Sequence, residues 1–342
     1  MRGKFPQLRI VLNTTCGKRC PYCRPSGEAS CLVGSEDALG HEDLCACVRE
    51  LVAGGIREVR LTGGDPAFYP HLKLVRFVGE LSKMGLDRLS LVTRSHKICT
   101  VLPSLFKAGM SSITFSFDSV DAKRWTVGCG IGEDRMWEHE ALVKTILCAK
   151  AIGFDVSLNS VLLSSTCEIE LPRLVEFASR WKLKLKVEEV IRDIGTNGRE
   201  GSFLHANLSS HKEKMRRMAD YVTTDYVYGG LGHPMEVLHF KNGASVTWKM
   251  FDHGACYGPS CRSCGFFPCD DALMALRLLP DGRLQKCLKR DDNLVDLVGA
   301  IRKGEARVLV EKMLAEYAGA TRLDYGEIKS LRARRKAERN VA

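Results

Sequence analysis

The sequence predicts an α/β protein built on a parallel sheet, and three observations carry that prediction. Short apolar segments recur between residues 8 and 188, each bounded by polar or glycine-containing stretches. Amphipathic segments of helical period lie between them. Gly54 and Gly55, Gly85, Gly109 and Gly153 follow four of the helical segments, where glycine closes a helix C-terminus. Strand then helix, repeated, is the pattern of βα units whose strands run side by side in one direction.

In chain order, the aliphatic run 8–12 is too short for a helix and suits a buried strand. Further strands are predicted over 58–61, 88–92, 112–117, 156–162 and 184–188, where β-branched and aliphatic residues cluster. Helices are predicted over 41–53, 71–84, 103–108, 136–152 and 168–181, where apolar residues fall three and four apart. Residues 192–210, with Gly195, Gly198 and Gly201, read as a loop or linker. A charged helix is predicted over 211–221. Residues 230–290 hold a second group of cysteines. The chain from 291 reads as helical and basic, with Arg332, Arg334, Arg335 and Lys336 in a solvated, frayed tail. The expected domains are a core over 1–200, a cysteine-bearing extension over 201–290 and a tail over 291–342.

Composition narrows the function classes. A chain of 342 residues with 45% hydrophobic content supports a sizeable globular core. The net charge of +10 directs attention to anionic partners such as nucleotide phosphates, or to the basic tail. The 15 cysteines are an odd number, so complete internal disulfide pairing is impossible. Most fall into two compact groups, which is metal-site usage, and a reducing cytoplasmic location fits. The N-terminal residues lack the apolar stretch of a secretory signal, and no run approaches a membrane span, so no membrane partner is expected. No interleaved basic and aromatic stretch argues for nucleic acid. Cys31, Cys45, Cys47, Cys99, Cys129, Cys148 and Cys167 are scattered and read as ordinary buried thiols. The histidines form no close-spaced pair and read as solvated or structural. The glycine-rich Gly128–Gly132 follows no strand, so a dinucleotide fingerprint is not expected.

The chemistry gathers at Cys16, Cys20 and Cys23, on the loop leaving the first strand. Three thiolates can hold three irons of a [4Fe-4S] cluster, and an all-cysteine cluster needs four, so one iron stays open. A zinc knuckle is the competing reading, but zinc motifs pair two C-x2-C arms or add histidines, and the first forty residues contain neither. Gly63-Gly64-Asp65-Pro66 follows the second strand, where glycine permits close backbone approach to a cofactor. Together these two motifs resemble the radical S-adenosylmethionine (SAM) superfamily.

The resemblance implies a partial (β/α)6 TIM-type barrel with substrate and cofactor at the C-terminal strand ends. It implies SAM chelated by the open iron and cleaved reductively to a 5′-deoxyadenosyl radical that abstracts hydrogen from substrate. It places Cys16, Cys20 and Cys23 on the cluster. It places Tyr22, Gly63, Gly64, Asp65, Pro66, Thr93, Ser116 and Asn159 around SAM. An electron donor such as flavodoxin or ferredoxin is implied as a partner, with a small-molecule substrate.

The second group, Cys261, Cys264, Cys269 and Cys287, is similar to the auxiliary [4Fe-4S] site of the MoaA-like GTP 3′,8-cyclase group, and the likeness runs from about Leu8 to Leu288. Pro280-Asp281-Gly282 between two apolar runs predicts a hairpin that carries Cys287 back towards the earlier cysteines. Three ligands would leave an iron open and four would close the cluster; a four-cysteine zinc site has compatible chemistry. The likeness makes Arg277 a substrate-binding residue. Departures bear on the substrate. Thr15 stands where that group carries arginine, Met274 and Arg277 keep only the second of two arginines, and the chain ends at Ala342 rather than in a Gly-Gly tail. The expectation is therefore a radical SAM enzyme acting on a small nucleotide-, nucleoside- or sugar-like substrate. GTP 3′,8-cyclisation, peptide modification and a non-catalytic metal-stapled binding role are the alternatives.

Overall fold

The computed structural model describes residues 5–24, 27–28, 38–191, 204–225, 231–249, 251–273 and 275–341. Strands β1 (Gln7–Val11), β2 (Glu58–Thr62), β3 (Arg88–Thr93), β4 (Ser112–Ser116), β5 (Asp155–Leu162) and β6 (Lys184–Glu189) pair in sequence order, all parallel. Helices α1 (His41–Ala53), α2 (His71–Ser82), α3 (Leu102–Lys107), α4 (Ala122–Gly128), α5 (Trp137–Ile152) and α6 (Cys167–Trp181) occupy the crossovers. The parallel α/β sheet is as expected. The short α4 was not foreseen, because its turns carry few apolar residues.

Side chains alternate sharply across this sheet, as a strand's period of two requires. One face carries Leu8, Ile10, Val59, Leu61, Leu91, Ile113, Phe115, Leu158, Leu185 and Val187, all buried. They pack with Leu44, Val48 and Leu51 of α1 and Phe77, Val78 and Leu81 of α2 in one continuous core. Each fully buried aliphatic side chain contributes about 1.5–3 kcal/mol, which outweighs the marginal intrinsic stability of such short helices. The opposite face is polar. Arg9 stands beside Arg60, Arg60 beside Ser90, Ser116 beside Asn159, and Asn159 beside Lys186. The interior of a closed eight-stranded barrel is usually packed with branched apolar side chains. Here the inner face is left polar, and the strands curl around a cavity.

Residues beyond 200 extend this same sheet at both edges. The later elements are α7 (Ser209–Arg216), β7 (Tyr221–Asp225), β8 (Met235–His239), β9 (Ser245–Lys249), β10 (Ala255–Tyr257), β11 (Ala275–Leu278), β12 (Arg283–Gln285), β13 (Val295–Asp296), α8 (Leu297–Arg302), α9 (Ala306–Ala318), β14 (Thr321–Leu323) and α10 (Tyr325–Val341). β9 adds parallel to β6, and β11 adds parallel to β1, giving a 12-stranded sheet among the described residues. The expected divisions near 200 and 290 thus cross one continuous sheet. The hairpin at Pro280-Asp281-Gly282 is present, joining antiparallel β11 and β12.

Two expectations are corrected. The helix expected over 211–221 ends at Arg216, and Tyr221 opens β7 instead. Val222, Thr223 and Thr224 are β-branched and find a partner strand in β8, which helical propensity cannot match. The basic tail is not frayed where it is described. Arg332 donates from Nη2 to Asp270 Oδ1 at 2.5 Å and from Nε to the Pro268 carbonyl at 3.1 Å. Arg335 Nη1 donates to the Cys264 carbonyl at 2.9 Å. Arg332 and Arg335 are thus docked on the second cysteine segment, while Arg334 and Lys336 are exposed as expected. Of the loop expected over 192–210, residues 192–203 lie outside the described residues, as does Cys31.

Candidate active site at the barrel mouth

A cavity of about 630 Å³ opens at the C-terminal ends of the strands. Cys16, Cys20, Cys23, Tyr22, Gly63, Gly64, Asp65, Pro66, Thr93, Ser116 and Asn159 all line it. Eleven positions read from separate motifs thus converge on one space. All but Asn159, which lies within β5, sit at a strand end or on the loop that follows it, so the parallel sheet itself does the gathering.

The cysteine loop is held mainly by backbone. Gly64 N donates to the Asn13 carbonyl at 2.8 Å and Asp65 N to the Thr15 carbonyl at 2.8 Å. A Cβ on Gly64 would sit 2.3 Å from the Thr15 carbonyl oxygen. Glycine is therefore needed there for contact between the two loops. On the other flank, Arg19 N donates to the Cys129 carbonyl at 2.8 Å, and a Cβ on Gly130 would sit 2.3 Å from the Arg19 carbonyl oxygen. The glycine-rich segment after α4 is a seat for the cysteine loop. Lys18 and Glu138, 2.5 Å apart, tie the loop to α5.

Asp65 faces inward. Its Oδ1 accepts from Thr93 Oγ1 at 2.6 Å and from Ala67 N at 2.9 Å, and its Oδ2 accepts from Arg94 N at 2.8 Å. Burial raises its pKa, and these three donors oppose the rise. The carboxylate thus binds the β2 loop to the end of β3, and the backbone of 63–66 faces the cavity. Tyr22 OH donates to Asp118 Oδ2 at 2.6 Å, Arg94 Nη1 donates to the same oxygen at 2.7 Å, and Arg94 also bonds the Tyr22 hydroxyl. Burial pushes the Cys16 and Cys23 thiols up to about 11. Cys20 is lowered to about 7, first by a hydrogen bond from Cys129 and, against burial, by the Arg94 charge.

The far wall is built differently. Glu188 Oε1 lies 2.7 Å from Lys186 Nζ and 4.0 Å from Lys249 Nζ, and Asn159 Nδ2 donates to Glu188 Oε2 at 3.2 Å. Burial would raise the Glu188 pKa, but the two lysines hold it well below the usual carboxylate range. Lys249 is lowered by its own burial, which Glu188 opposes. Glu28 also lines the cavity and sits 2.8 Å from Arg9 Nη1 and 3.5 Å from Arg277 Nε. The Arg277 side chain is 2% exposed, and its Nε faces Glu28 Oε2 at 3.5 Å without a hydrogen bond. Arg94, Glu28, Lys186, Glu188 and Lys249 escaped the motif reading. The alternation in Lys184-Leu185-Lys186-Val187-Glu188 was the available signal of a polar inner face.

Residues 10–178 match the family model described as the radical SAM superfamily. The chain belongs to that superfamily. This radical SAM chain is 26% identical over 310 residues to a GTP 3′,8-cyclase of Rhizobium etli, covering 90% of this chain and 82% of that one. It is 25% identical to a GTP 3′,8-cyclase of Crocosphaera subtropica, covering 88% and 87%. In fold it is similar to anSMEcpe, solved with bound AdoMet, with a TM-score of 0.57 at 15% identity over 90% of this chain and 82% of that one. It is also similar to methylornithine synthase, with a TM-score of 0.51 at 16% identity over 91% and 82%. The superfamily's enzymes use SAM and a [4Fe-4S] cluster. No helix among the described residues is long and apolar enough to cross a membrane.

The radical SAM chain brings its second cysteine group to the far edge of the same sheet. Burial pushes Cys261 up to about 11, and the nearby Cys287 and Cys264 add to the rise. Cys269 is pushed up to about 12 by burial and then by Asp271. Asp271 Oδ2 accepts from Leu288 N at 2.8 Å, and Arg24 Nη1 donates to the Leu288 carbonyl at 2.8 Å. Leu288 lines the cavity, so this group borders it directly after Cys287. Cys256 lies apart, buried in β10 opposite Arg322. Neither cysteine group brings three sulfurs within 4.8 Å of one another. A zinc tetrahedron with bonds of ~2.3 Å needs sulfurs about 3.8 Å apart. All-sulfur donor sets suit an iron–sulfur cluster at the first place and either a cluster or zinc at the second.

Proposed function

We propose that this enzyme directs the SAM-derived radical onto a small anionic substrate of nucleotide, nucleoside-phosphate or sugar-phosphate type, held against the far wall of the cavity. The observation that carries this reading is the charge of the inner sheet face. Arg9, Arg60 and Arg277 gather around Glu28, and Lys186 and Lys249 around Glu188, while Lys18, Arg19, Arg24, Arg94 and Lys249 line the cavity itself beside Glu28, Asp65, Glu188 and Glu189. In a low-dielectric cavity, such an excess of cations favours a ligand bearing negative charge.

In this reading Cys16, Cys20 and Cys23 hold the cluster that engages SAM, and Cys261, Cys264, Cys269 and Cys287 hold a second one. Bound, the reduced cluster and SAM supply a 5′-deoxyadenosyl radical for hydrogen abstraction. The residues 63–66 offer backbone groups to the cofactor, and Asp65 and Thr93 keep that backbone in place. Tyr22 is fixed by Arg94 and Asp118, so its ring forms a rigid wall. Lys249 and Asn159 face the substrate side, with Glu188 setting the orientation of both.

GTP 3′,8-cyclisation is the second reading, favoured by the activity named for the relatives. Against it stand Thr15 and Ala275, where the cyclase group carries arginine. A charge-assisted hydrogen bond contributes roughly 1.5–3 kcal/mol, so lacking two arginine contacts weakens GTP binding by about two to four orders of magnitude. The test is anaerobic turnover of reconstituted enzyme with SAM, reductant and a panel of nucleotides, nucleosides and sugar phosphates. A phosphorylated compound other than GTP should accelerate 5′-deoxyadenosine formation, and no 3′,8-cyclo-GTP should form. Cyclised GTP at a rate comparable to SAM consumption would establish the second reading, and acceleration by neutral compounds alone would refute the first.

A further inference from the structure

We propose that Cys167, Glu168 and His211 form a site for a single divalent transition-metal ion, with zinc the best match, on the rim of the barrel. The inference does not depend on the substrate reading. The Cys167 sulfur, a Glu168 carboxylate oxygen and a His211 ring nitrogen all lie within 4.8 Å of one another, the one such set of three among the described residues. Glu168 Oε1 and His211 Nε2 are 3.1 Å apart. With metal–ligand bonds of ~2.0–2.3 Å, the edges of a tetrahedral site are about 3.3–3.6 Å, so the ligands need only small shifts to close on an ion.

The donor chemistry selects the ion. Thiolate and imidazole suit zinc and its neighbours, whereas magnesium and calcium take oxygen donors. Three protein ligands leave one position for water. Burial raises the Cys167 pKa, and metal binding would release the thiol proton to solvent as the metal–sulfur bond forms. The Glu168 side chain is 78% exposed, so an ion can reach the site. The Cys167 thiol now donates to the Ser164 carbonyl at 3.8 Å, a weak bond that a metal–sulfur bond would replace.

The scaffold is assembled before any ion arrives. Cys167 and Glu168 open α6 just after β5, and His211 lies in the first turn of α7. The two segments are stitched by Ser164 N donating to the Leu204 carbonyl at 3.0 Å and by an antiparallel bridge between Leu163 and His205. The 204–211 segment also braces the cavity wall. His205 Nδ1 is 3.2 Å from the Val190 carbonyl, Leu208 N donates to Glu189 Oε1 at 3.4 Å, and Glu189 and Val190 line the cavity. A metal here clamps the wall beside the substrate without touching substrate.

The test uses full-length enzyme with both clusters loaded, so that the other cysteine groups are occupied, and Zn²⁺ as the sole probe. Wild type should retain one zinc per chain beyond its iron. Cys167→Ala and His211→Ala should each lose it, with affinity falling more than the roughly 10–100-fold that an outer-shell change costs, while iron content stays unchanged. Substituted Co²⁺ should show thiolate-to-cobalt charge transfer that Cys167→Ala abolishes. Should Cys167→Ala fold poorly, Glu168→Gln at the exposed position should still weaken zinc at least tenfold. Absence of bound zinc in wild type, or equal zinc in the wild type and the His211→Ala and Glu168→Gln variants, overturns the site.

Discussion

The two halves of the cavity are made of different materials. The half formed by the ends of β1 to β4 is largely backbone against backbone: Gly64 on Thr15, Gly130 on Arg19, and Asp65 capping the turn that follows it. The half formed by β5, β6 and β9 is side-chain charge: Lys186, Glu188, Lys249 and Asn159 on the inner face. A cofactor of fixed shape can be met by loops whose packing tolerates no Cβ. A substrate that distinguishes one enzyme from the next is met by side chains that change without moving a strand. The difference explains why the relatives' named activity does not settle the substrate of this chain.

The largest expected effect falls on the first half. Replacing Cys16, Cys20 and Cys23 together by alanine should remove roughly half of about eight irons and all SAM cleavage, measured as iron content and 5′-deoxyadenosine. Full iron retention would erase the assignment of this half to the cofactor. Next comes Gly64→Val. Its side chain would press on the Thr15 carbonyl, so the loss should be structural. Stability should fall by about 3 kcal/mol, the upper end for overpacking, and iron loading should fall with SAM cleavage. Intact loading with only weaker SAM affinity would instead put the glycine at the cofactor.

The other half should respond without disturbing SAM. Glu188→Gln leaves Lys186 and Lys249 uncompensated, yet substrate-free SAM cleavage should match wild type. Because the lysines hold the Glu188 pKa low, its contribution to stability is present above the unfolded value of about 4.3 and is lost as pH falls through the lower folded value. Acid unfolding of Glu188→Gln should therefore be less steep with pH than that of wild type. A parallel loss of SAM cleavage would dissolve the distinction between the halves. The smallest effect serves as a control. Gly79 lies inside α2, and a Cβ there meets nothing within 4 Å. Gly79→Ala should stabilise by about 0.5–1 kcal/mol in denaturant unfolding and leave both clusters and turnover alone.

The sequence by itself determined the alternation of strand and helix, the loop positions of the first cysteines and the Gly-Gly-Asp-Pro turn. These follow from local rules: period, glycine punctuation and ligand spacing act within a few residues. It also placed the hairpin that returns Cys287, because a Pro-Asp-Gly turn is local chemistry. Only the tertiary structure decided which polar groups face each other. Arg277 and Glu28 read as unrelated until β11 settles beside β1 and brings them within 3.5 Å of each other. Arg332 and Arg335 read as a solvated tail until α10 docks on the carbonyls around Cys264 and Pro268. Cys167 and His211 read as unrelated until two segments separated by more than forty residues are joined at Leu163 and His205. In each case the physical reason is the same. A charged or ligating group is defined by what lies within a few ångströms of it, and for these residues that neighbour comes from a distant part of the chain.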